Sequence, residues 1–176
     1  MTDNARLDGE EFQWVKPARS GRRFELRAGD TLTATLEWTS RYGALGVWGQ
    51  RRFGFSRAGW LRQRVLVSGG EDTATIGQIA TFVSRKGVLT VADGGAFTWT
   101  KPRRWTDERE WVRAGSGALI RYNPSRHATV MTVSSVAASL PELPLLALLG
   151  QFLLLMAARD AEEATTAAMI TTIAGA

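Results

Sequence analysis

The chain has 176 residues, enough for one domain with a substantial core and short for two. Apolar residues make up 44% and charged residues 22% of it, close to globular averages, which argues against wholesale disorder. Cysteine is absent and His127 is the single histidine, so disulfides, thiolate catalysis and Cys- or His-cluster zinc sites are excluded.

The net charge of +5 is unevenly placed. Residues 1–12 carry Arg6 against Asp3, Asp8, Glu10 and Glu11, a local balance of −3. Residues 140–176 carry Arg159 against Glu142, Asp160, Glu162 and Glu163, again −3, which leaves +11 in between. A basic body with acidic ends attracts anions such as phospholipid headgroups, nucleic acid or an acidic partner. An arginine-rich solvated surface, with 19 Arg against 3 Lys, is the plain alternative.

The opening MTDNARLDGEEF is acidic and has no apolar h-region, so a cytoplasmic location is expected. Residues 1–11 read as a flexible acidic N-terminus. From Phe12 to Val136 short alternating runs are broken by Gly, Asp and Pro, the pattern of consecutive antiparallel strands. After a weak strand near Phe12–Val15 comes the clearest hairpin, FELRAGDTLTATLEW. Phe24 and Leu26 share a face, Ala28–Asp30 turn the chain, and Leu32, Ala34, Leu36 and Trp38 share a face on the way back. A slip of one residue would expose that whole apolar set.

One or two strands are expected within Gly46–Phe55, then Trp60–Val67, a turn at Ser68–Asp72, and Ala74–Phe82 with Ile76, Gln78, Ala80 and Phe82 on one face. Val88–Val91 and Ala96–Thr100 flank Ala92-Asp93-Gly94-Gly95, a hairpin signal. Glu110–Arg113 and Ala118–Tyr122 flank Ala114–Gly117, Asn123-Pro124-Ser125 ends that pair, and His127–Val133 returns as a β-branched strand. The spacing predicts ten to twelve strands in a barrel or sandwich.

Leu143–Ala158, LPLLALLGQFLLLMAA, has no charge and eight leucines. Ser139-x-x-Glu142 before it matches a capping box, and Pro144 suits a first helical position. A helix apolar around its whole circumference must be buried in protein or in lipid. Sixteen residues rise about 24 Å, short of the ~30 Å hydrocarbon core, and Gln151 would be costly in lipid. Burial inside the protein is therefore expected, with a marginal membrane anchor or a partner-binding helix as alternatives. The tail 161–176 is Ala/Thr-rich and either prolongs the helix or frays.

Ten to twelve strands rich in Gly and Trp, followed by one Leu-rich helix, resemble the tubby C-terminal-like barrel, a group that includes the tubby domain, the LURP-one-related proteins and the phospholipid scramblases. The segments FELRAGDTLTATLEW, GVLTVADGGAFTWT and LPELPLLALLGQFLLLMAA carry the likeness, in that order, over residues 12–160. The resemblance implies a mainly β fold, a closed antiparallel barrel of about twelve strands around one central hydrophobic helix at about 143–160. Such a barrel is too wide for side chains alone to fill. For function it implies phosphoinositide binding in one branch and lipid translocation in another. The chain has no D-x-D-x-D loop and no cysteine cluster for palmitoylation, so a calcium-triggered scramblase is not implied.

Two basic-aromatic clusters are candidate anion sites. They are Arg51 and Arg52 beside Trp48 and Phe53, and Lys101-Pro102-Arg103-Arg104-Trp105. Guanidiniums grip phosphate bidentately and indoles suit a membrane interface, although loop arginines stacked on tryptophan are a common structural device. The same clusters could stack nucleic-acid bases, a reading ranked lower because no nucleic-acid signature accompanies them. Asp107, Glu108 and Glu110 are a candidate acid/base or cation group, with surface ion pairs to Arg103, Arg104 and Arg109 as the alternative. Ser125 and His127 do not make a triad by spacing, and the Gly pairs at 69–70 and 94–95 lack a phosphate-loop ending. The expectation is a non-catalytic module without a cofactor, binding anionic phospholipid or phosphoinositide peripherally, or else a structural or protein-interaction domain.

Overall fold

The computed structural model describes residues 11–17, 21–59, 64–69, 74–81, 86–92 and 95–174. Alternate side chains of a strand point to opposite faces, so each period-two run becomes a strand with one apolar face. In chain order these are β1 (Glu11–Val15), β2 (Arg23–Ala28), β3 (Thr31–Ser40), β4 (Gly43–Trp48), β5 (Arg51–Ala58) and β6 (Arg64–Gly69). Then come β7 (Ala74–Thr81), β8 (Gly87–Val91), β9 (Ala96–Thr100), β10 (Arg109–Arg113), β11 (Gly117–Pro124) and β12 (Ala128–Val133). Two helices follow, α1 (Ser135–Ala138) and α2 (Leu143–Ala174).

Each strand pairs antiparallel with its neighbours in sequence, and β12 pairs back on β1 through Phe12↔Met131 and Trp14↔Thr129. The sheet is thus a closed twelve-stranded barrel, and closure leaves no edge for unwanted pairing. Register shifts at Leu26/Arg27, Trp38/Ser40, Val67/Ser68 and Trp111/Val112 add the local bend that closure requires. Connections alternate between the two ends because successive strands reverse direction. Those after β1, β3, β5, β7, β9 and β11 form one end, the rim; those after the even-numbered strands form the other, the floor.

α2 enters at the floor and leaves at the rim. At its start, Arg51 Nη1 on the first residue of β5 donates to the Pro141 carbonyl at 2.6 Å. Near the far end of the same strand, Arg57 Nη1 meets Asp160 Oδ1 at 2.7 Å. From Leu143 to Met156 the helix is buried apart from the half-buried Leu154 and Leu155, a stretch of roughly 20 Å. Phe152 stacks on Phe55 with centroids 5.5 Å apart and leans on Trp38. On the opposite wall Trp99 packs against Trp111 and Tyr122 at 5.0 and 5.3 Å. The longest apolar run of the chain fills the barrel.

Two wall side chains reach the helix backbone. Trp111 Nε1 and Tyr122 Oη each donate to the Leu146 carbonyl at 2.9 Å, and Tyr122 also reaches Ala147 O at 3.2 Å. Gly150 makes room for them: a Cβ there would lie 2.8 Å from Tyr122 Cε2 and closer still to the hydroxyl. Gly46 serves the same purpose on β4, since its Cβ would meet both Leu148 methyls at 3.0 Å. Burial pushes the Tyr122 hydroxyl well above the usual phenol value, opposed by the Trp111 hydrogen bond, so it stays a donor.

Several expectations are corrected. The Ser139–Glu142 capping box does not form. The extra turn α1 takes Ser139 as its C-cap, where its hydroxyl donates to Val136 O, while Ser134 caps the start. Glu142 instead precedes α2 and accepts from Leu146 N through its carbonyl. Of the two alternatives left open for the tail, the helix is prolonged, to Ala174, because no Gly or Pro follows residue 160 before Gly175. On β7 the inward residues are Gly77 and Ile79, with Gln78 exposed and Ile76 half-buried. The partners Val67↔Gly77 and Val65↔Ile79 decide this, since directly opposed residues share a face and both valines are buried. Leu32, on the apolar face of β3 but at its floor end, is 46% exposed. Of the expected strand Trp60–Val67, the described residues show Arg64–Gly69 as β6. Residues 1–10, 60–63, the turn at 70–73, Phe82 and Asp93-Gly94 lie outside the described residues.

Candidate functional site

The five candidate anion-binding residues do not converge. Arg51 and Arg52 begin β5 at the floor, whereas Lys101, Arg103 and Arg104 lie between β9 and β10 at the rim. The period of two also divides the first pair. Arg51 lies over the Phe53 ring at 5.1 Å and ties the barrel to Pro141, a fastening for the α1–α2 connection. Arg52 is exposed on the outer wall, beside a groove of about 1060 Å³ that Leu45, Val47 and Ile76 also line.

At the rim, Lys101 Nζ pairs with Asp107 at 3.7 Å and is largely covered. Arg103 and Arg104 are exposed, and the adjoining Trp105 is 83% exposed. A large aromatic is left in solvent directly after two exposed arginines.

The acidic group separates in the same way. Asp107 turns to Lys101, and Glu110 to Arg121 at 3.4 Å; no pair of these carboxylates is shown sharing a proton or a cation. Ser125 Oγ bonds Ala128 O at 2.7 Å, and His127 is exposed beside it. Among the described residues no three His, Asp or Glu side chains are grouped to hold a metal.

What the rim has in quantity is positive charge. Among the described residues of the rim connections stand Lys16, Arg22, Arg41, Lys86, Lys101, Arg103, Arg104 and Arg126, against Asp107 and Glu108. The described residues of the floor connections hold Asp30 and Glu142 and no Lys or Arg. Cations at the floor ends of strands are mostly engaged: Arg27 with Glu25 at 2.7 Å, Arg51 with Pro141, and Arg113 over Phe97. Sequence reasoning missed this polarity because it summed charge along the chain. In an up-and-down barrel only the odd-numbered connections share an end, so counting them separately would have found it.

The emerging helix is fastened at the rim by a collar. Glu163 meets Arg41 at 3.0 Å and Arg159 at 3.6 Å, and Asp160 meets Arg57. Arg159 also donates to the Arg41 carbonyl at 2.8 Å and lies over Trp38. The hydrogen bond and charge of Glu163 hold the Arg41 guanidinium above its usual value. Beyond Glu163 the helix has no charged residue and is exposed through Met169. The segment Leu143–Met169 is long and apolar enough to cross a membrane, yet 67% of its most apolar stretch is buried in the barrel.

A cleft of about 810 Å³ opens at the rim between α2 and the wall formed by β1, β11 and β12. Comparison with family models, curated proteins and solved structures gives no match.

Proposed function

We propose that the protein is a non-catalytic binding module that docks its rim, peripherally, on anionic lipid headgroups at the cytoplasmic face of a membrane. The observation that carries this reading is the segregation of loop cations to the rim, with Trp105 exposed among them. A basic side chain near an anionic bilayer contributes about 1 kcal/mol, and an indole settles at the headgroup level. The uncharged end of α2 leaves the barrel on the same side. The likeness to tubby C-terminal-like barrels, one branch of which binds phosphoinositides, supports the same choice of ligand. A structural or protein-interaction barrel is the second reading, favoured by that same exposed helix end, where Met169 is 62% exposed.

Cosedimentation of the full-length chain with vesicles tests the proposal. Binding to phosphatidylserine- or phosphoinositide-containing vesicles is expected at low salt, with none to phosphatidylcholine. Replacing Arg103 and Arg104 together by Ala lowers affinity about 10- to 30-fold, the loss of roughly 2 kcal/mol. Arg52→Ala, on the outer wall, leaves it unchanged. Absence of binding even to strongly anionic vesicles at low salt overturns the lipid reading and leaves the protein-interaction one.

A further inference from the structure

α2 does not end at the collar. Arg41, on the β3–β4 connection, holds Glu163, and Arg159 donates to the Arg41 carbonyl. Glu163 therefore stands level with the rim, and the helix from Ala164 to Ala174 projects beyond it. Residues 164–169 are exposed at every position, more than a full turn of helix, so no face of that stretch is buried against the barrel. The projecting sequence, ATTAAMITTIA, carries no charge, whereas a helix that lies in water keeps a charged or strongly polar face. Its first two hydroxyls are turned back on the helix: Thr165 Oγ1 donates to Ala161 O and Thr166 Oγ1 to Glu162 O, each at 2.9 Å. Such bonds satisfy a hydroxyl donor without water, which is what hydrocarbon demands of a polar group.

We infer, on the premise of rim docking, that this end of α2 enters the acyl region of one leaflet without crossing the bilayer. Length sets the depth, since residues 164–174 rise about 16 Å, roughly half of the ~30 Å hydrocarbon core. Charge complementarity sets the level at which the helix enters. Arg22, Arg41 and Arg159 line one cavity beside the emerging helix, and Lys16 and Arg126 line another. The carboxylates at that level are met by cations, Glu163 by Arg41 and Arg159 and Asp160 by Arg57, while Glu162 stays exposed beside them. Trp105, on the same rim, suits the boundary between headgroup and chain. Met169, 62% exposed, supplies apolar surface beyond that boundary, and Ile170 and Ile173 follow it in sequence. Neither signal suffices alone. Attraction of the cations ends at the headgroups, and a threonine-rich segment gains little from lipid, so anchoring takes both. The continuous helix makes insertion an intramolecular step once the rim has docked.

The chain has no cysteine, so Met169→Cys offers a single site for an environment-sensitive fluorophore on the full-length protein. Asp30→Cys, on the exposed floor turn, is the control. With phosphatidylserine-containing vesicles at low salt, the Met169→Cys label is expected to brighten. A nitroxide on the acyl chain is expected to quench it more than a nitroxide on the headgroup, and the Asp30→Cys label responds to neither. Met169→Asp lowers vesicle affinity about tenfold or more, because a charge is costly in the acyl region, whereas Met169→Leu keeps it. Both substitutions fall on an exposed position, and an unchanged Tm separates lost binding from lost folding. Vesicle binding with the Met169→Cys label left in water, or with Met169→Asp at full affinity, overturns insertion and leaves rim docking standing. Absence of binding to strongly anionic vesicles removes both. A dimer in vesicle-free solution that Met169→Asp dissolves assigns the helix end to a second copy of the chain instead.

Discussion

Gly150 occupies a position where helix propensity and packing disagree. An interior glycine costs a helix about 1 kcal/mol relative to alanine, so Gly150→Ala in an isolated helix would be stabilising. In the barrel the added methyl would strike the Tyr122 ring, and the hydroxyl would lose its reach to Leu146 and Ala147. Overpacking of this kind costs about 1–3 kcal/mol, so Gly150→Ala is expected to lower the urea midpoint despite its better propensity. Tyr122 supplies a pH prediction. Its folded-state value is raised by burial, so its contribution is complete below the ordinary phenol value near ~10 and is lost as pH climbs towards the folded value. Denaturation followed across the alkaline range is expected to show stability falling above that point, and a smaller fall in Tyr122→Phe.

At the level of elements, α2 is two helices in one. Its first half, through Met156, is enclosed by β3, β4, β5, β10 and β11; its second half stands outside. Leu149 is 0% exposed, and an unpaired carboxylate there has no water and no partner, a cost of several kcal/mol against a total stability of about 5–15. Leu149→Asp is therefore expected to abolish the folded β-rich circular-dichroism spectrum; a folded Leu149→Asp protein would contradict the placement of the helix. Removal of residues 164–176 discards only chain beyond the Arg41–Glu163 and Arg57–Asp160 collar. The Tm of the truncated chain is expected to stay within about 2 °C of the intact one.

At the scale of the whole molecule, the antiparallel meander sorts the connections by parity, and the sorting makes the barrel electrically one-sided. Lys16, Arg22, Arg41, Lys86, Lys101, Arg103, Arg104 and Arg126 come from five separate connections and gather at one end through strand direction alone. Such attraction acts over a Debye length of about 10 Å at 0.1 M salt and about 3 Å at 1 M. Vesicle binding through the rim is expected to weaken steeply as salt is raised, by far more than binding driven by Trp105 or the helix end alone would. A salt-insensitive association measured by cosedimentation would assign the contact to apolar groups instead.

The order of the strands, a count of ten to twelve and the burial of the leucine-rich run were readable in the amino-acid sequence, whereas strand spacing left barrel and sandwich open and the resemblance alone implied closure. Period-two alternation and a run apolar around its whole circumference are local properties that admit few solutions. Local pattern was insufficient wherever two choices were nearly equal. Ile76 and Ile79 mark opposite faces of β7, and only the partners Val65 and Val67 select one. Ser139 could serve α1 or α2, and the extra turn settled it. The site lay furthest from view. Whether Arg51 joins Arg103 or stands a barrel length away depends on strand direction, and whether the uncharged end of α2 emerges among the rim cations depends on which way the helix threads the barrel. Alternation is imposed by the geometry of the peptide itself, whereas convergence of distant side chains exists only once the sheet has closed around the helix.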